Sequence, residues 1–407
     1  MMDRFFFSDP KLNEIATGRT NSYFTDDMTK FQHQLKAGIT ARRVLITGGA
    51  GSIGSSTTEL LLKYRPAVVH VVDVAENALV ELVRDLRSRP ELLAADELRL
   101  LPIDFGSPAM ERFLRSQVPY DLILHFAAHK HVRSEKDVPS LLQMLDTNIV
   151  KVQRFLSWLV RYNHCGKCFA VSTDKAANPT SFMGASKRLM EHVFFSASHD
   201  FVTVTSARFA NVAFSNGSLL QGFLFRFAKR QPLAVPRVVR RYFVSTDEAA
   251  EICLLSALGG PSDCIVFPRL NPLEHLRSLL DIAEALVKHL NLKPEFYEDE
   301  SVARAAVSRD LARGCYPILV TPFDTSGEKP YEEFVAADET EAEVGFQALK
   351  GVKKHSPDTL SDVLSFIERA VVDPNVEVTK KQIAERLGTA VPGFQHVDGD
   401  RSLDERP

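Results

Sequence analysis

Long apolar runs are missing from this 407-residue chain. No segment approaches the roughly 20 uninterrupted apolar residues of a membrane span, which sets aside an integral membrane segment. The first ten residues lack a basic stretch followed by an apolar one, so no secretory signal is expected and the sequence reads as cytoplasmic. Cysteine is scarce: Cys165, Cys168, Cys253, Cys264 and Cys315 are an odd number in a large chain, which suggests a reducing compartment and no disulfide framework. Cys165 and Cys168 have the spacing of half a zinc site, but no second pair completes it. They are expected to be ordinary thiols where a strand begins, and no metal is expected. One-sided charge is absent too. With 49 Lys and Arg against 52 Asp and Glu, the formal net charge of −3 offers nucleic acid no general attraction, and basic runs such as residues 237–241 are short.

What is present is an ordinary globular balance, 45% hydrophobic and 25% charged, enough to build a large core without staples. From Arg43 the chain alternates β-rich runs with helical patterns. Strands are predicted at 44–47, 68–74, 98–103, 122–127, 169–173 and 202–209. Helices are predicted at 52–64, 77–89, 141–162 and 183–198. This alternation predicts an α/β fold, a Rossmann-type doubly wound parallel sheet of about seven strands with a smaller C-terminal substrate-binding lobe. The expected divisions are an N-terminal extension (1–41), an NAD-binding domain (42–211), a lobe with strands returning to the sheet (212–340), and C-terminal helices with a disordered tail (341–407). Within the lobe, a helix at 276–290 and an isolated apolar strand at 318–321 are predicted. Beyond it, helices are predicted at 360–372 and 379–387, with the tail from Asp398 disordered. The extension, which shows no clear period, is expected to pack against a neighbouring subunit.

The run from Val44 to Gly54 places Gly48, Gly51 and Gly54 directly after a strand and directly before a helix. Gly48 suits the tight turn, Gly51 a close backbone approach to a pyrophosphate, and Gly54 close helix–sheet packing. The helix start at Ser52 and Ile53 offers unpaired N–H groups to the anion. About 20 residues on, Asp73 ends the second strand, where a carboxylate bonds ribose hydroxyls and repels a 2′-phosphate, so NAD is expected as cofactor. Asp104, after the third strand, reads as either an adenine contact or a strand-end turn residue.

Further along, Val171-Ser172-Thr173-Asp174-Lys175, Asn178-Pro179 and Met183-Gly184-Ala185-Ser186-Lys187 resemble the bacterial nucleotide-sugar 4,6-dehydratases that act on UDP-N-acetylglucosamine. The run His125-Phe126-Ala127-Ala128-His129-Lys130-His131-Val132 is similar to that family's strand-four signature. Arg208-Phe209-Ala210-Asn211-Val212, Arg241-Tyr242-Phe243 and the segment from Gly327 to Glu333 resemble later family motifs. The resemblance spans about residues 43–335.

The resemblance implies a tightly held NAD, a small-molecule nucleotide-sugar substrate, a role in polysaccharide biosynthesis and a homo-oligomer. It implies Lys175 as the base at sugar C5, Asp174 as the acid for the departing C6 hydroxyl, and Thr173 as partner of the C4 oxygen. Lys187 would hold the nicotinamide ribose and lower the pKa of Lys175, while Ala127 and Ala128 would lie against the cofactor. Lys130, Asn211, Ser218 and Arg241 are candidate substrate contacts, Arg241 as a clamp on the diphosphate. His131 reads as a satisfied structural histidine, and Phe223, Phe225 and Phe227 as packing.

The chain departs from the wider short-chain dehydrogenase pattern at Met183, where a tyrosine normally stands. A thioether takes no proton, so Lys175, Asp174 or a water must deprotonate the C4 hydroxyl. A nucleotide-sugar C4 epimerase and a non-catalytic dinucleotide-binding scaffold are the alternative readings. The epimerase reading lacks its tyrosine, and the scaffold reading leaves Asp174, Lys175 and Lys187 unexplained.

Overall fold

The computed structural model describes residues 9–93, 95–130, 132–322, 331–353, 357–394 and 396. His131, the stretch from Gly327 to Pro330 and the tail from Asp398 lie outside the described residues. Six strands open the fold: β1 (Arg43–Thr47), β2 (Val68–Asp73), β3 (Glu97–Pro102), β4 (Leu122–His125), β5 (Lys167–Thr173) and β6 (Thr203–Phe209). Next come β7 (Asn211–Val212), β8 (Leu233–Pro236), β9 (Arg240–Val244), β10 (Cys264–Pro268) and β11 (Leu276–Ser278). Then follow β12 (Lys293–Tyr297), β13 (Cys315–Thr321), β14 (Glu341–Ala342) and β15 (Leu349–Lys353).

Nine strands form the main sheet in the order β14-β15-β10-β6-β5-β4-β1-β2-β3. From β3 to β10 every neighbour is parallel, as expected for a doubly wound sheet. Val44, Leu45 and Ile46 of β1 and all of β4 are buried, because parallel strands covered by helices on both faces are apolar throughout. The order reverses between β2-β1 and β4, and in such sheets ligands bind outside the carboxyl ends of the strands at that switch point.

Several local expectations are corrected. Two antiparallel strands, β14 and β15, extend the sheet from a region read as helical alone. Their lengths, two and five residues, are too short to show a period. The strand at 318–321 is not isolated: β13 lies between β12 and β8 in a parallel three-stranded sheet. The helix predicted from 276 begins as strand, with β11 paired to β9, and Ser278 then caps the helix Leu279–His289. The helix predicted over 141–162 is interrupted by a π turn at Asp146–Val150.

The described part of the N-terminal extension packs on its own chain. Its helices Thr25–Lys30 and Gln32–Ile39 are flanked or lined by Phe24, Leu35 and Ile39, all fully buried in the core under β1 and β2. Leu12, Ile15 and Ala16 enter the smaller core beside Leu279 and Ile282. Asp27 accepts from the Gln347 and Ala348 N–H groups, and Arg19 pairs with Glu248 at 2.6 Å. At the other end, the helices Leu360–Val372 and Lys380–Ala390 contribute Val363, Ile367, Ile383 and Leu387 to the core that holds the helix Phe182–Ser196. No helix among the described residues is long and apolar enough to cross a membrane. The five cysteines are free.

Candidate active site

A cavity of about 730 Å³ lies at the carboxyl ends of β1, β2, β4, β5 and β6. The glycine loop forms one wall. Gly48 has φ +71°, and a Cβ there would lie 2.3 Å from the Ala127 nitrogen; at Gly54 it would lie 2.4 Å from the Gly48 carbonyl oxygen. No side chain caps the helix Ser52–Leu62, so its first N–H groups, including those of Ser52 and Ile53 on the cavity wall, are available to an anion. Asp73 is steered by two backbone bonds, accepting from Ala50 at 3.0 Å and Ala75 at 2.9 Å. Asp104 also lines the cavity, but it accepts from the Gly106 N–H and pairs with Lys151 at 2.5 Å, a cation that sequence reasoning did not assign. Ala127 and Ala128 line the cavity past β4.

The turn at 215–218 is drawn toward this loop. Asn216 donates its N–H to Ser52 Oγ at 2.8 Å, and Lys130 Nζ donates to the Asn216 carbonyl at 2.7 Å. Ser218 caps the helix Leu219–Ala228 through a 3.2 Å bond from Gln221. Lys130, Asn211 and Ser218 therefore share the cavity with the glycine loop.

Thr173, at the end of β5, and Lys175 line the cavity, with Asp174 nearly buried behind them. Thr173 Oγ1 donates to Asp174 Oδ1 at 2.8 Å, and Lys175 Nζ lies 3.1 Å from Asp174 Oδ2. Burial falls on Lys187 and not on Lys175. The Lys175 side chain keeps 47% of its exposure. Lys187 is enclosed, donating to the Val171 carbonyl at 2.7 Å and touching Met190 Sδ at 3.2 Å, and burial lowers its pKa to about 8.

Two supports of this constellation were not legible. Buried Glu135 accepts from the N–H groups of Phe182 and Met183 at 3.0 and 2.9 Å and so holds the start of the helix carrying Met183 and Lys187. In sequence it sits in a charged stretch that reads as a surface loop. Asn148, in the π turn, bonds both backbone groups of His129 and donates to Ser186 Oγ at 3.0 Å, tying β4 to that same helix.

Arg241, the expected clamp on the diphosphate, and Arg208 both lie against carboxylates. Arg241 does not line the cavity; its Nε lies 3.4 Å from Glu332. Arg208 is fully buried, bonded to Glu191 at 2.7 Å and to Glu339 at 2.6 Å, while Ser172 donates to Glu191 at 2.6 Å. These bonds pin the segment after Tyr331 across the ends of β5 and β6.

A family model described as polysaccharide biosynthesis protein matches residues 44–354. The chain belongs to this family. The chain is 28% identical over 307 residues to an uncharacterized membrane protein of Methanocaldococcus jannaschii, covering 73% of this chain and 81% of that one. It is 27% identical over 261 residues to an inverting UDP-N-acetylglucosamine 4,6-dehydratase of Campylobacter jejuni, covering 62% and 73%. Two further relatives in polysaccharide biosynthesis are longer, and the chain spans 42% and 48% of their length. Among solved structures, a dTDP-glucose 4,6-dehydratase of Streptomyces venezuelae with NAD bound matches with a TM-score of 0.55 at 19% identity, covering 75% of this chain and 92% of that one. That likeness bears on the fold. The family match stops before the helices Leu360–Val372 and Lys380–Ala390.

Proposed function

We propose that this protein catalyses the NAD-dependent 4,6-dehydration of a nucleotide-activated N-acetylhexosamine, UDP-N-acetylglucosamine, to a 4-keto-6-deoxy sugar for surface polysaccharide synthesis. The observation that carries the reading is the contact of Thr173, Asp174 and Lys175 at the end of β5, beside a buried Lys187 and opposite the glycine loop. Relatives 26–27% identical to this chain are named for this activity. The cavity suits a dinucleotide: a Cβ at Gly48 would fill its wall, bare helix N–H groups face the pyrophosphate position, and Asp73 is held where a ribose diol would lie.

Bound there, NAD supplies removal of hydride at C4 and its return at C6. The chain's own residues handle the protons. An ion pair of Lys175 and Asp174 becomes a neutral amine and a neutral acid by moving one proton across their 3.1 Å contact. The amine then takes the C5 proton while the acid gives its proton to the C6 hydroxyl, which leaves as water; the proton lost from the C4 hydroxyl passes to solvent, and a proton exchangeable with solvent returns to C5 as hydride reaches C6. Thr173 orients the C4 oxygen, and Lys187 holds the nicotinamide ribose. Met183, on the cavity wall, takes no proton, which weighs against an epimerase that relies on that position.

Incubating the protein with UDP-N-acetylglucosamine in deuterated water tests this directly. The product is expected to be lighter by one water and to carry deuterium at C5, with Lys175→Ala at least about 100-fold slower. A wild type that leaves mass and configuration unchanged refutes the substrate assignment.

A further inference from the structure

Asn211 has its amide orientation imposed by its neighbours, and the orientation decides what it can bind. It stands two residues past Phe209, whose Cα partner across the sheet is Thr173, and it lines the cavity. Its Nδ2 donates to the Tyr242 carbonyl at 3.2 Å and to Oε1 of Glu332. A carbonyl and a carboxylate only accept, so a reversed amide would set oxygen against both. The Tyr242 carbonyl enforces this orientation whatever the charge on Glu332. With both amide hydrogens directed into the protein, Oδ1 is the group left for a ligand, and it is an acceptor.

Glu332 is itself held. It is buried, its Oε2 accepts from the Tyr242 N–H at 3.1 Å, and Arg241 Nε lies 3.4 Å from its Oε1. Arg241, the residue expected to grip the diphosphate, thus also lies beside the carboxylate that fixes an asparagine next to the reacting strand.

We propose that Asn211 determines specificity as an acceptor, with Glu332 as its positioning residue, and that it reads a hydrogen-bond donor on the hexose, a hydroxyl or the acetamido N–H. A phosphate oxygen brings no proton to that site, so Asn211 does not hold the diphosphate. The proposal rests on the dehydratase reading for its ligand and goes beyond it in assigning which part of that ligand each side chain meets.

The test compares binding of UDP and of UDP-N-acetylglucosamine to the NAD-loaded protein by titration calorimetry. In Asn211→Ala, the sugar nucleotide is expected to bind about tenfold more weakly, with UDP within about twofold of wild type. Glu332→Gln, which sets an NH₂ against either the Asn211 amide or the Tyr242 N–H, is expected to displace the asparagine and reduce the same ratio while NAD content and the melting curve show that the fold persists. Equal losses for both ligands in Asn211→Ala would place Asn211 on the diphosphate and overturn the proposal alone. No loss for either ligand would overturn it as well. A wild type that binds UDP but no UDP-sugar, or neither, refutes the dehydratase reading and this proposal with it.

Discussion

Gly48 and Lys187 show opposite relations between residue type and environment. At Gly48 the backbone demands a missing side chain. A methyl at φ +71° would sit 2.3 Å from the Ala127 nitrogen, and that backbone belongs to the cavity wall. Gly48→Ala is expected to lose bound NAD, read as nicotinamide released on denaturation, and to melt lower by at least about 1–2 kcal/mol of stability. Retention of full NAD would refute the assignment of this wall to the dinucleotide. Its spacing made Gly48 legible. At Lys187 the environment instead penalises the charge: burial lowers its pKa from 10.5 to about 8. Between those values the unfolded chain carries a proton that the folded one does not, so stability rises with pH through that window. The cost, about 3 kcal/mol, is present in full below pH 8 and gone above pH 10.5. Lys187→Met removes the titration, so its stability advantage over wild type is expected to fall by about that amount between pH 7 and pH 11 in urea unfolding. A difference that does not vary with pH would show that Lys187 titrates normally. The position of Lys187 was legible from the Met183–Lys187 spacing, but its burial was not, because a lysine four residues into a helix is as often solvated.

The helix Phe182–Ser196 carries Met183 and Lys187, and its start is built from distant parts. Ser181 caps Gly184 from within the helix's own sequence, at 3.2 Å. Glu135 adds two bonds from 47 and 48 residues upstream, satisfying N–H groups that the first turn leaves open and placing a carboxyl at the positive end of the helix dipole. Glu135→Gln keeps the shape but sets an NH₂ against one of those N–H groups. It is expected to cost about 1–3 kcal/mol in thermal unfolding and to slow turnover. An unchanged melting curve would show that Ser181 suffices. Propensity and period located this helix and most of the sheet. They failed at β11, where three residues continuous with a helical pattern pair with β9 instead, and at the π turn, where Asn148 meets His129 and Ser186. In both places a tertiary partner overrides the local preference.

Across the whole molecule, the segments at either end of the family match are bound into the same body. Phe24, Leu35 and Ile39 are fully buried, each burial contributing about 1.5–3 kcal/mol, which is large against a typical net stability of about 5–15 kcal/mol. Phe24→Ala is therefore expected to destabilise by about 3–5 kcal/mol in denaturant unfolding while leaving the mass in sedimentation unchanged. A change of assembly state with unaltered stability would instead point to a role of the extension between subunits. The segment from Tyr331 to Glu339 is likewise fastened: Glu339 meets Arg188 and Arg208, and Asn178 donates to Glu333 at 2.7 Å.

By itself, the sequence determined what depends on spacing along the chain. That includes the alternation behind the parallel sheet, the glycine turn with Asp73 after the next strand, and the adjacency of Thr173, Asp174 and Lys175. Only the tertiary structure decided which charges are buried and what they face. Glu332 meets Asn211 across 121 residues, Arg208 meets Glu339 across 131, and Asp27 caps Gln347 across 320. No periodicity links such pairs. Each exists because closing the sheet removes water from both partners at once, and a polar group left unpaired there would cost more than the bond returns.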